Sequence, residues 1–233
     1  LSQEVDRMQK VLSSMRSSLR DLRLAVAGTI VMNETLEVSF NALFDAIVPP
    51  SWEKLSWKSS TLGFWFSDVT ARSEQFNRWL TDGRPRVFWL TGLFNPQGFL
   101  TAMRQEITRA HQGWSLDSVM LATNVLKVDK EDVKHPPDEG VYVHGLYLDG
   151  ASWERKGARL VDSPPKVLFT LLPVLHVTAI NSSTPPDPRA YVCPVYRIPK
   201  RTDLNYIFDV YLRTDEPADK WVLRGVCLLC SRT

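Results

Sequence analysis

The chain has 233 residues, 44% hydrophobic and 23% charged, the composition of an ordinary globular protein. Its 28 basic and 26 acidic residues leave a net charge of +2, too small to argue for a nucleic acid or an anionic membrane as partner. Three cysteines and no N-terminal signal pattern point to a reducing, intracellular setting, and no apolar run approaches the roughly 20 residues of a membrane span.

The first segment is the most periodic. Leu1, Val5, Met8, Leu12, Met15, Leu19, Leu22 and Val26 alternate spacings of four and three, which predicts a long amphipathic helix with a heptad-like seam over a first division, 1–32. Gly28 interrupts it. The sequence starts inside this pattern with Leu rather than Met, so an excised fragment is expected. A second helix is predicted over 34–47, capped by Asn33, with Leu36, Phe40, Leu43 and Ile47 on one face and Pro49-Pro50 as its stop. A third covers 62–80, with Trp65, Val69, Phe76 and Trp79 inward and Asp82-Gly83 as its end. A short apolar run, 86–90, then leads to a helix from Pro96 to about Ala110. Asn95 caps it, Pro96 suits its first position, and Phe99, Met103 and Ile107 recur on one face. Together these make a helical division, 33–114.

From 115 to 233 the pattern changes to short apolar or alternating runs separated by Pro, Gly and Asp. Strands are predicted over 119–128, 141–148, 159–161, 167–179, 190–197, 206–212 and 221–229, with turns at 135–138, 163–165 and 182–188. The fold class is therefore α+β: an N-terminal helical part followed by an antiparallel sheet closing toward a β-barrel.

No motif for chemistry is complete. The stretch 145–152 has glycines at a phosphate-loop interval, but Ala151 stands where the phosphate-binding Lys belongs. Cys227 and Cys230 form a CxxC in an apolar run, where strand geometry sends side chains three apart to opposite faces; with only Cys193 besides, they read as core thiols. His111, His135, His144 and His176 have no metal-ligand spacing. Glu131-Asp132, among Lys127, Lys130 and Lys134, reads as a solvated face rather than a catalytic dyad. Tryptophans can stack on single-stranded bases, but Trp65 and Trp79 fall on the apolar side of their helix. Catalytic, cofactor-binding and metal residues are all expected to be absent. The seam of the first helix is the candidate partner contact. Each of its eight side chains gains ~1.5–3 kcal/mol on burial, so the stripe packs on the rest of this polypeptide, docks on protein outside it, or self-pairs.

Several stretches carry a family resemblance. The run Phe88-Trp89-Leu90-Thr91-Gly92-Leu93-Phe94-Asn95-Pro96-Gln97-Gly98-Phe99 closely resembles a segment near the C-terminus of dynein heavy chains. So do Ala27-Gly28-Thr29-Ile30-Val31-Met32, Val48-Pro49-Pro50-Ser51-Trp52, Gly140-Val141-Tyr142-Val143-His144-Gly145-Leu146-Tyr147, Tyr191-Val192-Cys193-Pro194-Val195-Tyr196 and Trp221-Val222-Leu223-Arg224-Gly225. The stretches Ser60-Thr61-Leu62-Gly63-Phe64-Trp65-Phe66 and Arg201-Thr202-Asp203-Leu204-Asn205-Tyr206-Ile207 look most like axonemal outer-arm heavy chains of the gamma type. Lys220 and Cys227 depart from the family's usual His and Ala while keeping the strand pattern.

The resemblance implies a parent that is an ATP-driven, minus-end-directed microtubule motor built on a ring of AAA+ modules. It implies that the helix over 1–32 joins the last module to a C-terminal cap lying across the ring, in the cytoplasm and the axoneme of cilia and flagella. It carries no catalytic residue to any position here. ATP and Mg belong to the parent, not to this fragment. The implied partners are the AAA+ ring of the same heavy chain, other dynein-arm subunits and, through the parent alone, microtubules; nucleic acid and membrane are not among them. The alternative reading is an independent β-barrel module that recruits another axonemal component; a hydrolase or ATPase within this fragment by itself is a third.

Overall fold

The computed structural model describes residues 1–182, 187 and 189–232. Positions 183–186 and 188 of the turn predicted over 182–188 lie outside the described residues. The polypeptide divides into two compact units, Leu1–Gly83 and Arg84–Arg232.

The first unit is helical. Helix α1, Ser2–Val26, ends on Gly28 at φ +74, with Gly28 N donating to Ala25 O and Thr29 N to Leu24 O. That pair of bonds is a Schellman cap, which needs a left-handed residue that glycine supplies without a Cβ penalty. Helix α2, Glu34–Phe44, starts on Asn33, whose Oδ1 accepts from Leu36 N at 2.9 Å. It stops earlier than the spacing predicts. Ala46 takes φ 55, and the donations Ala46 N to Leu43 O and Ile47 N to Ala42 O close a second Schellman cap. Phe40 and Ile47, expected inward, are exposed, while Leu36 and Ser39 face the core. A short helix that the sequence pattern does not predict, α3 at Pro50–Glu53, follows the Pro49 stop and carries Trp52 into the interior. Helix α4, Leu62–Thr81, is capped by Thr61 Oγ1 and buries Trp65, Val69, Arg72 and Phe76; Trp79 is half-buried.

The core of this unit is a tryptophan stack. Trp65 lies 5.3 Å from Trp52 and 6.0 Å from Trp57, centroid to centroid, and the Arg72 guanidinium sits 3.9 Å over the Trp57 ring. Offset rings and a cation over a ring face are both electrostatically favourable through the ring quadrupole. Two of the indole N–H groups are tied to serines: Trp52 Nε1 donates to Ser18 Oγ on α1 at 2.7 Å, and Trp65 Nε1 to Ser56 Oγ at 2.9 Å.

The second unit begins with β1, Phe88–Trp89, and helix α5, Pro96–Ala110, capped by Asn95 Oδ1 accepting from Gly98 N at 3.0 Å. Then come β2 Val119–Val125, β3 Val141–His144, β4 Tyr147–Asp149, β5 Ser152–Glu154, β6 Arg159–Val161, β7 Phe169–Leu171, β8 Leu175–Asn181, β9 Tyr191–Tyr196, β10 Tyr206–Leu212, helix α6 Ala218–Leu223, and β11 Cys227–Leu229. One sheet runs β1-β3-β8-β2, a second β10-β9-β11-β4-β7, and β5 pairs with β6. Tyr211 N on β10 donates to Thr123 Oγ1 on β2 at 2.8 Å, so one sheet edge abuts the other.

The structure departs from the sequence expectations at several points. The sheets are mixed, because β1 runs parallel to β3 and β11 parallel to β9; a closed, wholly antiparallel barrel is not what forms. Parallel neighbours require a long crossover connection, and α5 and α6 lie in those two connections. The run 221–229 is not one strand: its start belongs to α6, introduced by Pro217 and ended by Gly225, with Trp221 fully buried and its Nε1 donating to Thr214 Oγ1 at 2.8 Å. Helix α5, which the helical division 33–114 includes, buries Leu100, Met103 and Ile107 while lying along β8, β2 and β10 in the second compact unit. The long strands predicted over 141–148 and 167–179 are each broken in two, the second at Leu172-Pro173, where proline has no N–H for the ladder.

Candidate functional site

The structure splits the seam of α1 into an inner and an outer edge. Met8 and Leu22 are buried, Val5, Leu12 and Met15 half-buried, and Leu1, Leu19 and Val26 exposed, Val26 at 66%. The stripe that turns inward is Glu4, Met8, Val11, Met15, Ser18, Leu22 and Ala25, which keeps the same alternation of four and three one step around the helix. Val11 and the Ser18–Trp52 bond fix this rotation. The apolar pattern does not reveal the bond, since a serine does not register as a core position. Met8, Met15 and Leu22 belong to both stripes; the others leave an apolar edge facing outward.

Beside that edge, α1 and α4 frame a groove of about 270 Å³ whose apolar walls include Val5, Leu12, Phe76 and Leu80, with Arg16 and Asn77 among its polar lining. The apolar exposure continues through the unit, with Val31 at 86% and Phe44 at 83%, and with Phe64 and Phe66 also outward. Most of the exposed large apolar side chains among the described residues belong to Leu1–Gly83, although it holds little more than a third of the sequence.

Several titratable groups of Arg84–Arg232 are engaged in packing and ion pairs. His111 stacks on Trp114 with centroids 4.1 Å apart, and its Nε2 lies 2.5 Å from Glu139 Oε1. His176 donates from Nε2 to the Glu139 carbonyl at 2.9 Å, with the Tyr142 ring edge-on at 5.1 Å. Cys193, Cys227 and Cys230 form no disulfide and are buried; burial pushes the Cys193 thiol up and the Cys227 thiol up to about 11, which disfavours the reactive thiolate. Arg155 grips Asp129 with two bonds of 2.7 and 2.8 Å, and Asp162 pairs with Lys220 and Arg224; both carboxyls are held below the usual range, each led by its side-chain hydrogen bond, from Arg155 and from Lys220. The stretch 145–152 is β4 and a turn, with Ala151 fully buried. Glu131 and Asp132 lie in a single 3-10 turn, Lys130–Asp132, where Glu131 is 3.8 Å from Lys130. Trp65 has no exposed face on which a base could stack. Among the described residues no group of three or more His, Cys, Asp or Glu could hold a metal ion.

His144 on β3 is held neutral. Burial, helped by the charge of Lys130, lowers its pKa to about 4 from an ordinary value of 6.5. The unfolded state therefore takes up a proton below pH ~6.5 while the folded one does not until about 4. Stability is full above this window and is lost as pH falls through it, by about 3 kcal/mol in all. Denaturant titrations between pH 7 and pH 4.5 are expected to show a steeper loss for the wild type than for His144→Gln.

These features define a class: an α+β domain whose helical unit carries most of its exposed large apolar side chains among the described residues. The family model for the C-terminal domain of the dynein heavy chain matches residues 1–230, and the protein belongs to that family. It is 59% identical to axonemal dynein heavy chain 8 of Mus musculus and 56% identical to heavy chain 5 of the same species, each over 99% of the present sequence. It is 44% identical to the gamma chain of the flagellar outer arm of Chlamydomonas reinhardtii, again over 99% of the present sequence. It spans about 5% of the length of these relatives.

Proposed function

We propose that this polypeptide is the non-catalytic C-terminal element of an axonemal outer-arm dynein heavy chain, and that it braces the AAA+ ring of its parent. The parent is an ATP-hydrolysing, minus-end-directed microtubule motor of cilia and flagella, and holds the nucleotide, Mg and microtubule sites. The helix α1 connects the last ring module to the cap. The observation that carries this reading is the match over residues 1–230 to a domain defined by its place in a motor heavy chain. The outward apolar surface of Leu1–Gly83 supports it, because such a surface gains ~25 cal/mol per Å² when covered. A brace that fits one ring conformation better than another shifts their populations by that difference in binding energy.

The test is the parent motor truncated after Gly83, which removes the second unit whole and leaves the helical unit in place. ATPase rate, run length and stall force are expected to change together. Values equal to those of the intact motor would remove the regulatory role.

A further inference from the structure

We infer that the outer edge of α1 and its groove against α4 receive an acidic amphipathic helix. The inference deepens the reading that α1 docks on other protein, and rests on it for the existence of a partner but not for its chemistry.

The outer edge reads Leu1, Val5, Gln9, Leu12, Arg16, Leu19, Arg23, Val26, a row at helical spacing along one side of α1. Leu1, Leu19 and Val26 are exposed, and Val5 and Leu12 half-buried. The groove beside it offers a concave apolar bed about 270 Å³ in volume, and Leu80 of α4 stands 56% exposed on its far wall. A row of apolar side chains spaced by one helical turn, set beside a groove, fits the apolar face of another helix.

Charge selects which helix. The only ionisable side chains in the row are Arg16 and Arg23, and neither has an ion pair among the described residues. Glu74, the acidic residue nearest in sequence to the α4 wall positions Ser73, Asn77 and Leu80, is already engaged by Arg78. The row therefore presents apolar and cationic groups and no anion. A helix bearing Glu or Asp beside its apolar stripe would pair with both guanidiniums, whereas a basic helix would be repelled. A second copy of the same α1 edge would set Arg16 and Arg23 against their own kind, which disfavours self-pairing through this row.

The probe is a synthetic 21-residue helix with Leu at heptad a and d positions and Glu at e and g, measured against the same peptide with Lys at e and g. Fluorescence anisotropy with the 233-residue protein is expected to show the Glu peptide binding at least ten-fold more tightly than the Lys peptide. The Arg16→Glu, Arg23→Glu variant is expected to reverse that order. Leu80→Ser, at an exposed position whose change leaves the core intact, is expected to weaken the Glu peptide several-fold. Circular dichroism melts establish that each variant remains folded.

Equal affinity for the two peptides, no binding of either, or concentration-dependent self-association of the protein that Leu80→Ser abolishes would overturn the inference. Each of these outcomes leaves the truncation experiment on the motor unaffected, so the two readings fail separately.

Discussion

Trp65→Ala is expected to destabilise the helical unit by about 3–5 kcal/mol, the range for emptying an aromatic site in a closed core. Trp65 is fully buried, is the ring that Trp52 and Trp57 both stack on, and bonds Ser56. Its removal leaves a cavity between two rings that are themselves held, Trp52 by Ser18 and Trp57 by the overlying Arg72, so the site cannot collapse cheaply. Trp65→Phe keeps a ring in the stack and loses the donation to Ser56, and a cost of about 1–2 kcal/mol is expected. Denaturant unfolding followed by tryptophan fluorescence and by near-ultraviolet circular dichroism checks both. Because the protein forms two units, the loss is expected in the transition that reports Leu1–Gly83. An unchanged midpoint for Trp65→Ala would mean that the stack is not the core of that unit.

Gly140→Ala is expected to cost more than about 3 kcal/mol, although it adds one methyl group. Gly140 has φ +79, a region where a Cβ costs about 1 kcal/mol. Steric overlap supplies the larger share: a Cβ there would stand 2.3 Å from the Val177 carbonyl oxygen and 2.9 Å from Thr178 Cα, both backbone atoms of β8. To relieve it, β3 would have to move away from β8, against the register Val141↔Val177 and the donation of Arg84 to the Gly140 carbonyl. Gly113→Ala separates the two effects. Gly113 has φ +83 with nothing within 4 Å of the added carbon, so the conformational cost of about 1 kcal/mol is expected alone. Thermal melts of the pair, with hydrogen exchange at Val141 and Val177, measure the difference.

Local signals are legible in the sequence and long-range ones are not. The caps Asn33 and Asn95 and the Gly28 stop can be read because each acts within four residues of itself. The strand 206–212 is predicted to the residue because the alternation of buried and half-buried positions from Phe208 to Leu212 is a property of that strand alone. The short helix Ala218–Leu223 escapes a reading by pattern for a definite reason: Pro217 and Gly225 punctuate it as a helix, but its apolar residues run into those of Cys227–Leu229 and imitate one strand. Parallel pairing of β9 with β11 depends on which strand a distant segment meets, and no local pattern encodes that. The rotation of α1 is out of reach for a similar reason. Two stripes of equal spacing run along the helix, and the choice between them is made by a tryptophan on α3 that finds Ser18. Spacing therefore groups the candidate contact residues into one seam, while the separation into an inner and an outer edge requires the partner helices to be in place.

The two parallel pairings also govern the order in which the polypeptide acquires its shape. Trp89 must meet His144, and Leu228 must meet Val195, across long stretches of intervening sequence; closing such loops is entropically costly and slow. The helices of Leu1–Gly83 have starts and stops fixed by their own caps. They precede the strands in the sequence, so they leave the ribosome earlier and can condense while the sheets are still being synthesised. The strand-rich unit is therefore completed last, and nascent polypeptides stalled before β11 leave β9 and β4 without their shared neighbour.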